Sequence, residues 1–214
     1  TRRMNQNQVY GVTTSLVTKA DGTKFGKTES GTVWISSHMT SPYALYQFWL
    51  NVADADVYKY LKFFTFLSLT EIDEIEQSDK AAKAKPEAQG ILAREVTELL
   101  HGKDGLNAAV RISEALFSGN ISSLTSSDLA QLELDGLPYT EIQGGSKGII
   151  EVLVDTELAK SNKMAREFIG NNAVNVNGQA VDSVDFELSS SNALEGKFFI
   201  LRRGKKLFHL AKLV

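Results

Sequence analysis

The sequence predicts a multidomain α+β protein whose middle is helical and whose end is a small module of helices and strands. The hydrophobic spacing changes from a β-like pattern to a period of 3.6 residues after residue 37. A Gly144-Gly145-Ser146 break coincides with a shift in charge balance: residues 1–146 carry 13 Lys/Arg against 18 Asp/Glu, and residues 147–214 carry 10 against 8. Asn177-Gly178 stands between two short alternating segments, the strongest short-range signal for a β-hairpin.

From the N-terminus, residues 9–18 are β-branched and apolar and read as a strand. Residues 19–32 are rich in glycine and lysine and form an exposed loop. Residues 33–37 are a short strand or turn. Ser41-Pro42 supplies a cap and a proline at the first helical position, opening a helix that buries some of Tyr43, Tyr46, Phe48, Trp49 and Leu50. Asp54 or Asp56 starts the next helix, with Val57, Tyr60, Leu61, Phe64 and Phe66. Thr70 and Asp73 form a shortened capping box for a third. A lysine-rich connector, Lys80 to Lys85, leads to Pro86 as first residue of a long helix. That helix turns Ile91, Val96, Leu99 and Leu100 inward and stops at His101-Gly102. Helices over Gly105 to Phe117 and Ser126 to Leu134 complete the helical region. After the Gly-Gly break come helices at Ile149 to Leu158 and Ser161 to Gly170, the Asn177-Gly178 hairpin, and two strands flanking Arg203-Gly204-Lys205-Lys206.

Composition excludes several classes. At 214 residues, 43% hydrophobic and 23% charged, the chain can bury a core and is neither disordered nor fibrous. No apolar run approaches the roughly 18 residues that a membrane-spanning helix needs. The absence of cysteine removes disulfides, thiolate metal sites and cysteine catalysis, and agrees with a cytoplasmic location. His38, His101 and His209 lack a paired spacing, so no metal site is expected. The chain opens Thr-Arg-Arg without an initiator Met or a signal-peptide pattern and reads as a piece beginning inside a domain.

Two segments carry candidate chemistry. In Thr23-Lys24-Phe25-Gly26-Lys27-Thr28, two ammonium groups three residues apart in a glycine-flanked loop can converge on a polyphosphate. This is not a Walker A loop, because Gly22 and Gly26 are four residues apart rather than five. The spacing Lys-x-x-Lys-Ser/Thr is common, and on spacing alone a solvated lysine loop is the better reading. The second segment is the tail: over residues 200–214, Arg202, Arg203, Lys205, Lys206 and Lys212 face no acidic residue, which suits a solvated surface or an anionic partner. Trp34, Tyr46, Trp49, Phe63, Phe64 and Phe66 are expected in the helical core, and Asp54 and Asp56 as helix-start residues.

The stretch TKADGTKFGKTESG, followed by SPYxxYQFW and NxADADVYKYLKFFTF, resembles the tyrosyl branch of the class I aminoacyl-tRNA synthetases, and the resemblance runs end to end. In that class a mobile Lys-Met-Ser-Lys-Ser loop follows the last strands of the nucleotide-binding fold. The tyrosyl branch often writes it Lys-Phe-Gly-Lys-Thr, as at Lys24 to Thr28. Phe25, Gly26 and Thr28 favour the tyrosyl over the tryptophanyl branch. The tail text SNKMAREFIGNNAVNVNG resembles the RNA-binding module named after ribosomal protein S-four, with Asn162 where arginine is common.

The resemblance implies three parts. Residues 1–37 would be the end of a Rossmann-like catalytic domain, 38–143 a helical anticodon-binding domain, and 147–214 the RNA-binding module. It implies ATP-dependent activation of tyrosine: the carboxylate attacks the α-phosphate, pyrophosphate leaves, and the adenylate passes to the terminal ribose of tRNA(Tyr). Lys27 and Lys24 would contact the ATP phosphates, with Gly26 closing the loop and Thr28 supporting. Lysines placed where charge develops stabilise the transition state more than the ground state. Ser161, Lys163, Arg166, Asn177, Arg202, Arg203, Lys205 and Lys206 would meet RNA. ATP enters as substrate with Mg2+ bound to it, and no tightly bound cofactor is implied. The tyrosine pocket would lie upstream of Thr1, the intact parent would be a homodimer, and the piece alone would be inactive. The alternatives are a non-catalytic RNA-binding protein built from the same modules and, third, a tryptophanyl-type ligase.

Overall fold

The computed structural model describes residues 2–14, 16–28, 31–82 and 86–214. It divides into two compact units, Thr1–Val33 and Trp34–Val214. Residues 29–30 of the glycine-lysine loop, residues 83–85 of the lysine-rich connector, and the side chains of Lys27 and Thr28 lie outside the described residues.

The first unit holds a short helix, α1 (Arg2–Asn5), and an antiparallel pair, β1 (Lys27–Thr28) and β2 (Gly31–Thr32), in which Lys27 faces Thr32. The strand expected over residues 9–18 is not formed. Among the described residues, Thr18 makes an isolated bridge to Lys24, while Tyr10 and Val12 are exposed. A β-prone run needs a partner to complete its ladder, and no strand lies beside it among the described residues.

In the second unit, α2 (Pro42–Leu50) begins where Ser41 accepts the Ala44 N–H, with Pro42 at the first helical position. The buried stripe of α3 (Asp54–Phe64) is Val57, Tyr60 and Leu61, one helical face. Trp49 and Tyr60 pack edge to face at 6.1 Å. Three of the aromatics expected in the core are not there: Trp34 is 47% exposed, Phe63 58% and Phe66 90%. Phe63 falls on the far side of α3 from the buried stripe, and Phe66 lies beyond its C-cap, Thr65. Asp54 and Asp56 both sit in the first turn, as expected, and Asp54 accepts from Gln89 Nε2 at 2.6 Å.

The helix α4 (Leu69–Ala81) starts one residue before the expected cap. Its box is Ser68 with Glu71, not Thr70 with Asp73: Glu71 accepts the Ser68 N–H at 2.7 Å and the Ser68 hydroxyl accepts the Glu71 N–H, so the helix begins ahead of Thr70. The long helix α5 (Ala88–Ser118) begins two residues after Pro86, where the Asp79 carboxylate takes the N–H groups of Glu87 (2.8 Å) and Ala88 (3.2 Å). It is broken at Gly102 (φ 67°, ψ −178°), the expected stop, but helix resumes at once. Its buried face is Ala88, Gln89, Leu92, Ala93, Val96 and Thr97, whereas Leu99 and Leu100 are exposed, contrary to the expected set. A short α6 (Ser126–Gln131) passes into a π turn at Leu132–Gly136 instead of reaching Leu134 as regular helix.

The C-terminal part is a five-stranded sheet in the order β3 (Tyr139–Ile142), β9 (Leu207–Leu213), β8 (Phe198–Arg203), β5 (Val174–Val176), β6 (Gln179–Ala180). β3 is parallel to β9, and the other neighbours are antiparallel. A separate pair joins β4 (Ser146–Gly148) to β7 (Glu187–Ser189). Two helices, α7 (Ile149–Asp155) and α8 (Asn162–Gly170), pack with the sheet around Ile149, Leu153, Ile169, Phe199 and Leu201. The hairpin at Asn177-Gly178 and the strands around Arg203-Gly204 form as the sequence predicts. What the sequence did not disclose is β3, which precedes the Gly-Gly break yet contributes Ile142 to the C-terminal core. Among the described residues, no helix is long and apolar enough to cross a membrane.

Candidate phosphate loop and candidate nucleic-acid interface

Backbone turns shape the loop that carries Lys24. Asp21 accepts the N–H (2.9 Å) and hydroxyl (2.6 Å) of Thr23, and the hydroxyl bond is the main cause that holds its carboxyl below the usual range. Lys19 N–H donates to the Thr23 carbonyl at 2.8 Å and Phe25 N–H to Val17 at 3.2 Å, closing one turn. Val33 N–H donates to the Gly26 carbonyl at 3.3 Å, closing the next. Lys24 is exposed, Gly26 turns at φ 83°, and Lys27 and Thr28 form β1. Two adjoining turns, the second opening at Gly26, present the Lys24 ammonium to solvent.

In the tail, Ser161 caps α8, its hydroxyl accepting the Met164 N–H at 3.3 Å. Lys163 and Arg166 are exposed on that helix, three residues apart and so on one face. Arg203 donates to the Leu158 carbonyl at 2.7 Å and lies 4.9 Å from the centre of the Phe168 ring, a cation–π stack that fixes its guanidinium. Arg203, Gly204, Lys205 and Lys206 then line one open depression with Phe168, Ala173 and Leu207. Arg202 is not part of it. As the neighbour of Arg203 on a strand it points to the other face, where it lines a cleft with Leu116, Gly119 and Gly178. Asn177 spends its amide on the fold: its Oδ1 accepts the Ile200 N–H at 2.9 Å and its Nδ2 donates to the Asn192 carbonyl at 3.0 Å. Lys212 pairs with Glu133.

Residues 1–118 match the family described as tRNA synthetases class I (W and Y). The chain belongs to that family. Residues 128–211 also match the Tyrosine--tRNA ligase SYY-like C-terminal domain. A Tyrosine--tRNA ligase of Aliivibrio fischeri is 63% identical over 98% of this chain and 49% of its own length. Relatives of the same name from Chromobacterium violaceum (55% identical, 98% of this chain, 50% of the relative) and Escherichia coli (51%, 98% and 49%) agree. The chain thus spans about half the length of the curated relatives it matches.

In this class I chain the roles of Phe168 and His209 come from the fold and not from local sequence. Phe168 is a helix residue whose value comes from stacking under Arg203, which lies 35 positions on and is joined to it only by the fold. His209 is buried and meets the Thr140 hydroxyl through Nε2 at 2.9 Å, tying β9 to β3. Burial holds its imidazole below the usual range, against a smaller opposing effect of Glu157. Contacts between residues this far apart in the chain leave no local sequence signal, so the sequence predicts neither of them.

Proposed function

We propose that the chain is the C-terminal half of a bacterial tyrosine–tRNA ligase. In this reading residues 1–37 end the Rossmann-like catalytic domain, 38–143 form the helical anticodon-binding bundle, and 147–214 form the RNA-binding module. The observation that carries the reading is that relatives named Tyrosine--tRNA ligase are 51–63% identical across 98% of the chain, a span that includes both the Lys24 to Thr28 loop and the basic tail.

The intact protein, a cytoplasmic homodimer, uses ATP with Mg2+ bound to its phosphates. Lys27 and Lys24 stabilise charge as it moves onto departing pyrophosphate, Gly26 lets the loop close, and Thr28 supports the phosphate contact. Lys163, Arg166, Arg203, Lys205 and Lys206 hold tRNA(Tyr) through its phosphates, which positions the nucleic acid without reading its sequence. Ser161 and Asn177 act by shaping α8 and the hairpin turn, and Arg202 by its place between the sheet and α5.

The test is pyrophosphate exchange on the full-length protein. Exchange should depend on tyrosine and should fall by roughly 10²–10³ in Lys27→Ala, the usual cost of losing one transition-state donor. Exchange dependent on tryptophan would select the other branch. RNA binding without exchange on either amino acid would leave the non-catalytic binder.

A further inference from the structure

We infer that Phe168 is a positioning residue for nucleic-acid binding, one that sets the pose of Arg203 and acts on the ligand through that guanidinium alone. The role rests on the proposed function of the tail as a phosphate-binding face. Three contacts bring the turn between β8 and β9 against α8 and the loop that precedes it. Arg203 Nη1 donates to the Leu158 carbonyl at 2.7 Å, the guanidinium lies 4.9 Å from the centre of the Phe168 ring, and the Gly204 N–H donates to the Ala173 carbonyl at 2.8 Å. Ala173 is tied to the same helix, its N–H donating to the Phe168 carbonyl at 2.9 Å. Phe168 thus reaches the turn twice, by its ring through Arg203 and by its main chain through Ala173.

A long, rotamer-rich side chain loses conformational freedom when it grips a phosphate, and that loss subtracts from affinity. Lys205 and Lys206 are exposed at the turn and meet the loss on binding. Arg203 has met it already on folding, because the ring holds one face of its plane and Leu158 holds one nitrogen. A guanidinium is a planar fork of several N–H donors. The Leu158 bond occupies Nη1, so the other nitrogens stay open to an anion in the depression that Arg203 lines with Lys205 and Lys206. An ammonium has no such plane to stack, so a lysine at the same place could not be held this way. Phe168 also packs against the buried core of the module, and a test must separate its ring face from that packing.

The probe is tRNA(Tyr), bound to the 214-residue chain at one fixed, low salt concentration. Phe168→Leu keeps an apolar side chain against the core and removes the ring face. We expect it to weaken binding by about three- to ten-fold, the loss of one cation–π contact, and Phe168→Tyr to bind within about two-fold of the native chain. In an Arg203→Ala background the same Phe168→Leu change should weaken binding by less than about two-fold, while in a Lys206→Ala background it keeps its full effect. A loss of undiminished size in the Arg203→Ala background overturns the inference, because the ring then acts by packing. Without RNA, heteronuclear NMR relaxation of the arginine Nε–Hε groups in the native chain reads the pose directly. Arg203 should be as ordered as the backbone of α8, and the exposed Arg166 mobile. An Arg203 as mobile as Arg166 overturns the inference as well, and that measurement needs no variant that could fail to fold. Salt-sensitive binding of tRNA(Tyr) with additive effects at Phe168 and Arg203 overturns the positioning role and leaves the proposed function standing. A native chain that does not bind tRNA(Tyr) removes the phosphate-binding face, and the positioning role with it.

Discussion

At the scale of single residues, the helical region holds a fully buried carboxylate, Asp128, whose side chain has no exposure. Burial opposes its ionisation, yet the Arg111 guanidinium and both polar groups of Thr125 overcome that and hold its carboxyl below the usual range. Arg111 contributes two hydrogen bonds, at 2.7 and 2.8 Å, and Thr125 closes a capping box with the same carboxylate. Because the folded-state pKa is depressed, this group's stabilisation is complete above the ordinary carboxylate range and is lost as pH falls through the folded value. Arg111→Met leaves a buried carboxylate without its cation. We expect a loss of about 3 kcal/mol at neutral pH, the low end for breaking a buried pair, since the 37%-exposed guanidinium is partly screened by water. Urea titrations of both forms at neutral and acidic pH check this: the gap should narrow on acidification as Asp128 becomes protonated. An unchanged gap would place the stabilisation elsewhere.

At the scale of elements, helices were legible where the signal was local and their ends were not. Ser41-Pro42 and Ser161 were found because a cap and its first turn lie within four residues. The start of α5 was missed because its amides are satisfied by Asp79, a residue of the preceding helix. The α4 box falls two residues from the expected one because two Ser/Thr-x-x-acid patterns overlap, Ser68 with Glu71 and Thr70 with Asp73, and the local pattern does not choose between them. Ser68→Ala should therefore cost about 0.5–2 kcal/mol and speed amide hydrogen exchange in the first turn of α4, while Thr70→Ala leaves that turn protected. Fraying by Thr70→Ala instead would restore the sequence reading. The aromatic residues show the same limit. Composition places Phe63 and Phe66 in a core, whereas the phase of α3 and its end at Thr65 leave both exposed.

At the scale of the whole molecule, the candidate site was legible in its residue types and not in its grouping. The basic tail stands out in the sequence because no acidic residue interrupts it. Strand alternation then separates Arg202 from Arg203, and a distant Phe168 decides which of the two is stacked and held. Family membership rests on the whole length of the chain, and the reading of the tail as a phosphate-binding face rests on Lys163, Arg166, Arg203, Lys205 and Lys206 acting together. The direct test is the affinity of the chain for tRNA(Tyr) measured across a range of salt concentration. The logarithm of the binding constant should fall linearly with that of salt, with a slope of about −3.5 to −4.5 for five cations on phosphates, and a Lys205→Ala, Lys206→Ala variant should flatten the slope by about 1.5. Binding that is indifferent to salt, or a slope unmoved by that variant, would contradict the account.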